Sequence, residues 1–273
     1  MLIEIAGLRL LIESSHRLGE LHLPEVYEHF RASGEPDFTI SLRYSKAPPK
    51  IDNRFRCRKS GILNLYRVRP GYYFFTFDRV KGLGSIEQEQ RRFSFTTSAL
   101  SAATLNLIVE TVYISVTTQI LHNYLILHAC GVVDKDRAYL FSAPSNGGKS
   151  TIGKIVLNLK KVLLNDDRII VCWNRDRIMA YGNPWHGELA EVNSRGMPLK
   201  KIFFLKKGQR NFLKKLRPME SVMQMMANAF FLPVDPGSKV ALLNRCIDLA
   251  SSVPAYELTF YPDEAVWRKI ERK

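Results

Sequence analysis

Residues 141–152 read Phe-Ser-Ala-Pro-Ser-Asn-Gly-Gly-Lys-Ser-Thr-Ile. This approximates G-x-x-x-x-G-K-[ST], the phosphate-binding loop, with Ala143 where the first glycine belongs. The mechanics survive the change. Consecutive backbone N–H groups around Asn146 to Lys149 form a concave nest for an anion, and a helix starting near Lys149 points its positive end at the same place. Ser145, Asn146, Gly147, Gly148, Lys149, Ser150 and Thr151 are therefore the candidate nucleotide contacts. Lys149 is expected to reach the β- and γ-phosphates of ATP, and the Ser150 hydroxyl to ligate Mg²⁺. Asn146 stands where the loop calls for a positive φ, which Asn tolerates well. Ala143 adds a Cβ where the backbone turns tightly.

The flanks fit such a loop. Ala138 to Phe141 is a short apolar strand, and Ser150 to Lys160 reads as a helix. Val162-Leu-Leu-Asn-Asp-Asp-Arg168 follows, an apolar strand ending in two carboxylates. One helix and a turn separate Asp166 from the loop, so both reach one crevice at the strand ends. Adjacent carboxylates there suit two jobs: one can bind Mg²⁺, directly or through water, and the other can accept a proton from an incoming hydroxyl. His128 lies in the apolar strand before the loop. It either sits beside the phosphates, stabilising charge or relaying a proton, or is a satisfied core histidine.

Outward from this centre the chain divides. Residues 1–98 are strand-rich. Asp37 to Tyr44 alternates, and Ile62 to Arg69 and Tyr72 to Phe77 flank Pro70-Gly71 as a hairpin. Pro24 to Ala32 reads as a short helix, and Gly82 to Gly84 as a loop. After Ser98, Leu105, Ile108, Val109, Val112 and Val116 recur at helical spacing. Short strands and helices then alternate to the end, which predicts an α/β core over 99–273 with a smaller N-terminal domain over 1–98.

The 273 residues carry 40 Lys+Arg against 26 Asp+Glu, a formal charge of +14, which asks for an anionic partner. Lys200 to Arg217 holds eight of these bases. It reads either as a docking strip for an acidic peptide or the nucleotide, or as a solvated hairpin with Phe203, Phe204 and Phe212 inward. Met219, Met223 and Met226 fall at helical spacing and read as core. No recognised nucleic-acid motif supports nucleic-acid binding. Four scattered cysteines suggest a reducing compartment. The start carries Glu4 and no basic n-region, and the longest apolar stretch contains Glu110. The expectation is a cytoplasmic protein without a membrane span.

His128, the Pro-Ser-Asn-Gly-Gly-Lys-Ser-Thr loop and Leu-Leu-Asn-Asp-Asp, in this order and spacing, resemble the catalytic domain of HPr kinase/phosphorylase over about residues 124–215. Ser145, Gly148, Lys149, Ser150, Asp166 and Asp167 match that family's pattern. Ala143 and Asn146 depart from its glycines, and Glu191 to Arg195-Gly196 is a stretched echo of its downstream Glu-x-Arg-Gly segment. The strand-rich first half does not look like the family's classical first domain. The whole is closer to stand-alone HPr-kinase-like proteins found beside peptide-modification genes, some of which phosphorylate a precursor peptide. ATP-dependent phosphoenolpyruvate carboxykinase is a more distant cousin. The resemblance implies a P-loop kinase core that uses ATP and Mg²⁺ to phosphorylate a Ser or Thr hydroxyl of a peptide or small protein. Lys149, Asp166 as the base and His128 are then catalytic, and Ser150 and Asp167 hold the metal. It leaves room for a homo-oligomer. The competing reading is a nucleotide-binding switch or scaffold without turnover.

Overall fold

The computed structural model describes residues 1–15, 18, 23–69, 71–87, 91–175, 177–232 and 236–271. His16, His22, Pro70 of the expected turn, Arg272 and Lys273 lie outside them. The chain falls into two compact units. The first holds Met1–Ile120 with Leu232–Ser238, the second Leu121–Phe231 with Lys239–Lys273. The division thus comes after the helix that follows residue 98, because that helix packs on the first unit's strands. Its Tyr113 hydroxyl donates to the Ile5 carbonyl at 3.1 Å.

In the first unit the strands are β1 (Leu2–Ile5), β2 (Leu8–Ser14), β3 (Phe38–Tyr44), β4 (Arg56–Ser60), β5 (Leu63–Arg69), β6 (Tyr72–Phe77), β7 (Val80–Glu87) and β8 (Arg92–Thr97). The helix is α1 (Ala102–Ser115). The strands form one sheet in the order β1-β2-β3-β8-β7-β6-β5-β4. Alternation sets its two faces. Ile40, Leu42, Phe75, Phe93 and Phe95 point inward and are almost fully buried. Each such ring or branched chain stabilises the fold by about 1.5–3 kcal/mol. Ser101 caps α1, its hydroxyl accepting from the Thr104 N–H at 3.1 Å. The segment expected to be a helix after Pro24 is a 3-10 turn, Glu25–Phe30. Gly82 and Gly84, expected in a loop, lie inside β7. A Cβ there would meet the Phe95 ring at 2.5 Å and the Phe75 ring at 2.1 Å, so glycine makes room for the core aromatics of neighbouring strands.

The second unit holds β9 (Tyr124–Asp134), β10 (Arg137–Ser142), α2 (Lys149–Asn158), β11 (Val162–Asn165), β12 (Arg168–Asn174), β13 (Arg177–Tyr181), β14 (Gly196–Lys207), β15 (Phe212–Lys215), α3 (Pro218–Ala227), β16 (Ala229–Phe230), α4 (Pro236–Ser252), β17 (Ala255–Phe260) and α5 (Ala265–Glu271). Its nine strands run β10-β9-β12-β13-β14-β17-β15, with β11 and β16 also on β9 and with β10 also paired to β14. Only the β10–β14 and β14–β17 pairs among these are parallel. The result is a mixed α/β unit with a largely antiparallel sheet.

One feature of this topology places the site. The eleven-residue β9 changes partners midway: residues 124–128 pair with β12, and 129–134 with β10. His128 is the last residue before the change. The C-terminal end of β10 and the N-terminal end of β12 therefore meet beside it. Three backbone-directed hydrogen bonds fix the junction: Ser142 Oγ to His128 O at 2.9 Å, Ala129 N to Asp167 O at 3.0 Å, and His128 N to Asn228 O at 2.7 Å.

Two expectations for this unit change. β14 and β15 are not a hairpin, because β17 lies between them. Phe203 and Phe204 are buried, but Phe212 is exposed and Leu213 takes the inward place. Met219 and Met223 are more than 60% exposed, since α3 buries Val222 and Met225 instead. Among the described residues no helix is long and apolar enough to cross a membrane.

Candidate functional site

The loop between β10 and α2 takes the conformation its sequence asks for. Asn146 has φ +63° and Gly148 φ +103°, the left-handed values that Asn and Gly tolerate. Gly148 is the N-cap of α2, with no side chain capping it, so the first N–H groups of that helix lack a side-chain acceptor. Lys149 folds back over the loop. Its ammonium donates to the carbonyls of Ala143 and Pro144 at 3.0 and 3.2 Å. Burial pushes this ammonium's pKa down, against the pull of Asp167 and Asp166.

Ala143 does not need the glycine it replaces. It is absent from the residues with positive φ and is nearly buried. The position that cannot change is Gly147, where a Cβ would sit 2.4 Å from the Ala143 Cβ and 2.9 Å from the Pro144 carbonyl oxygen. If the loop holds a nucleotide, Gly147→Ala should weaken that binding at least about tenfold by forcing the loop open, and Ala143→Gly should leave it within about threefold. Calorimetric titration of both variants checks this. Equal affinities would contradict the close approach.

Asn146, Gly148, Lys149, Ser150 and Thr151 line a cavity of about 420 Å³, together with Glu188 and Lys207. Ser145 is exposed on the loop and outside that lining. Glu188 and Lys207 come from segments far apart in sequence, so no local spacing announced them. Lys207 belongs to the basic stretch, and it is that stretch's contribution to the cavity. Lys214 and Arg217 instead face Glu220 at 3.6 and 3.4 Å. Lys154 pairs with Glu188 and, with its hydrogen bond as the largest cause, holds that carboxyl below its usual range.

The paired carboxylates sit in unlike surroundings. Asp166 is 1% exposed. Its oxygens accept from Ser150 Oγ at 3.1 Å and from the N–H groups of Gly187 and Leu189 at 2.8 and 3.0 Å. Asp167 is the more open one, its side chain 23% accessible, with His128 Nε2 at 3.0 Å and Arg168 Nε at 3.3 Å. Burial alone would raise its pKa. The His128 hydrogen bond, with the charges of Arg168, His128 and Lys149, outweighs burial and holds the carboxyl below its ordinary value. Phe230 backs this group: the Arg168 guanidinium lies 4.6 Å from its ring centre and the His128 ring meets it edge-on at 5.4 Å. His128 is thus a partner of Asp167 and does not line the loop cavity.

Two buried asparagines, which the sequence reading did not single out, build the turn. Asn165 Oδ1 accepts from the N–H groups of Asp167 and Arg168 at 2.8 and 3.1 Å. Its Nδ2 donates to the carbonyls of Asn183 and Trp185 at 3.0 and 3.2 Å. Asn183 in turn donates to Arg168 O at 2.6 Å and accepts from Trp185 N. The Gly182-to-Gly187 segment is thereby clamped over the carboxylates. A Cβ on Gly187 would stand 3.0 Å from Asp166 Oδ1. Trp185 is buried and anchors this segment, while His186, Glu191 and Arg195 are exposed.

No family model and no curated protein matches the chain. Among solved structures it aligns with the Hpr(Ser) kinase/phosphatase from Coxiella burnetii at a TM-score of 0.34 and 12% identity, over 54% of this chain and 93% of that one. A likeness this loose carries no weight here, and the site rests on its own geometry.

Proposed function

We propose that this protein is an ATP- and Mg²⁺-dependent phosphotransferase of the HPr-kinase-like type, acting on a Ser or Thr hydroxyl of a peptide or small protein. The observation that carries this reading is the Ser150 Oγ to Asp166 Oδ2 hydrogen bond at 3.1 Å, which joins the phosphate loop to the paired carboxylates. A hydroxyl and a carboxylate held together are the hard-oxygen donors that Mg²⁺ takes from a protein, its other ligands being phosphate and water. When bound there, Mg²⁺ neutralises charge on the phosphates. Lys149 leaves the loop carbonyls for the phosphates, and Lys207 adds a second positive charge at the cavity rim.

The roles of the two aspartates are then the reverse of those read from sequence. Asp166 is buried and its oxygens are occupied by Ser150 and two backbone N–H groups, so it suits the metal. Asp167 is open, ionised and oriented by His128, so it suits the base that accepts the hydroxyl proton, with His128 as a positioning residue. Transfer of the phosphoryl group needs alignment and charge neutralisation, and these residues supply both.

Calorimetric titration of ATP with Mg²⁺ tests the reading. Wild type should bind in the micromolar range and Lys149→Ala should lose at least about a hundredfold, the scale of a charge-assisted contact to phosphate. Equal affinity in the two would overturn it. The three donors already on Asp166 leave little room for a metal, which favours a second reading, a nucleotide-binding module without turnover. It predicts the same binding but no phosphorylated serine or threonine on any partner peptide.

A further inference from the structure

The outer face of the first unit's sheet carries a groove that the loop chemistry does not use. Registers fix its floor: Ser41 pairs with Ser94, Ser94 with Ser85, and Ser85 with Phe74, one row across β3, β8, β7 and β6. Ser85 and Ser94 share a hydrogen bond at 2.8 Å. Small side chains in one row, with larger ones in the rows on either side, make a trough across the strands. Arg92, Glu87 and Tyr72 form one wall, and Arg43, Thr96 and Leu83 the other, with Pro49 also in the lining. The half-open space is about 360 Å³, within the range of roughly 300–1,000 Å³ usual for ligand pockets.

The two ends of the trough differ. Arg43 and Arg92 stand at the β3–β8 end, both exposed, and neither side chain makes an ion pair or hydrogen bond among the described residues. Tyr72 and Phe74 stand at the β6 end, edge to face at 5.0 Å, with Arg69 over the Tyr72 ring at 5.1 Å. Among the described lining residues Glu87 is the one carboxylate, directly across from Arg92. Three strand spacings separate the ends, about 14 Å, which an extended polypeptide covers in about four residues.

We propose that this trough binds an extended polypeptide segment carrying a carboxylate side chain, taken by Arg43 and Arg92, and an apolar side chain about four residues away, taken by Tyr72 and Phe74. The serine hydroxyls, each donor and acceptor, meet the segment's backbone. An arginine on each wall favours an acidic occupant. The aromatic end and the span across four strands favour a chain over a free anion. That this segment belongs to the phosphate acceptor rests on the kinase reading; the chemistry of the trough does not.

The test is fluorescence anisotropy with a labelled twelve-residue Gly/Ser peptide carrying two Glu, each four positions before a Phe. Wild type and Lys149→Ala should bind it alike. Arg43→Glu/Arg92→Glu should weaken it at least about tenfold, as should replacing Glu by Gln in the peptide. The milder Arg43→Gln/Arg92→Gln pair gives the same direction if charge reversal disturbs folding. No binding to wild type, equal binding to the arginine variants, or loss in Lys149→Ala overturns the proposal. So does tighter binding of a single-stranded DNA twelve-mer through the same arginines, which would make the occupant a nucleic acid. ATP titration of the same proteins separates the two ideas. Arginine variants that bind ATP normally but lose the peptide support the trough, whereas wild type that binds the peptide but not ATP sinks the kinase reading alone.

Discussion

On the proposed kinase reading, Asp167→Asn should lower kcat about a thousandfold, within the range of 10²–10⁴ that a positioned base contributes. ATP affinity should change by less than about threefold, since Asp167 does not line the loop cavity. Asn keeps the size of the side chain and can still face His128 Nε2, so folding is not at stake. What disappears is the acceptor for the hydroxyl proton. Asp166→Asn should behave differently. It disturbs the contact to Ser150, so the Mg²⁺ dependence of ATP binding should move along with kcat. If Asp166→Asn spares metal-dependent binding and Asp167→Asn spares turnover, the assignment is wrong. The pH profile adds a second reading of the same pair. Asp167 has a folded pKa below the ordinary value, so its ionised form persists down through the usual carboxylate range, while the stability this shift contributes is full above the ordinary pKa and declines from there. Both are lost once pH has fallen through that lowered pKa. With His128 replaced by Ala, the largest opponent of burial is gone and the pKa rises. The acid limb of kcat/KM should then shift to higher pH.

Much of this centre is legible in the residues. The strand, loop and helix at 137–158 are marked by an apolar run, by Asn and Gly at the two positions that need positive φ, and by Lys149 at the helix start. The Asp166–Asp167 pair is legible as a strand end. What separates the two aspartates is not, because it depends on donors from Gly187 and Leu189, twenty-one and twenty-three residues downstream. Lys207 enters the cavity only because β14 lies parallel to both β10 and β17, a pairing no local pattern specifies. The clearest missed signal is Asn165. An Asn at a strand end whose side chain can accept from backbone N–H groups two and three residues on is a turn former in its own right. Apolar periodicity misled at α3, where Met219 and Met223 repeat at helical spacing yet face outward. Period alone says that residues share a face, not that the face is covered.

Aspartate in place of Asn165 should cost the second unit about 3–5 kcal/mol at neutral pH, the penalty for an uncompensated buried charge. The side chain is fully buried and makes four hydrogen bonds, two in each direction. Asp keeps the acceptor that orients Asp167 and Arg168 but loses both donors. The carbonyls of Asn183 and Trp185 would then face a carboxylate, with Asp166 next in the chain. Burial and these neighbours favour the protonated form, so the folded pKa of the new group lies above its unfolded value near 3.9. The charge penalty is therefore full at neutral pH and fades as pH falls through the folded value toward about 4. All three tryptophans, Trp173, Trp185 and Trp267, lie in the second unit, so intrinsic fluorescence follows that unit's unfolding alone. By the usual 2–4 °C per kcal/mol, Tm should drop by about 10 °C or more. Asn174→Asp, at an exposed position, should shift it by about 1 °C at most. Equal shifts in the two would mean that the Asn165 hydrogen bonds do not hold the turn, and the distinct environments of Asp166 and Asp167 would lose their structural cause.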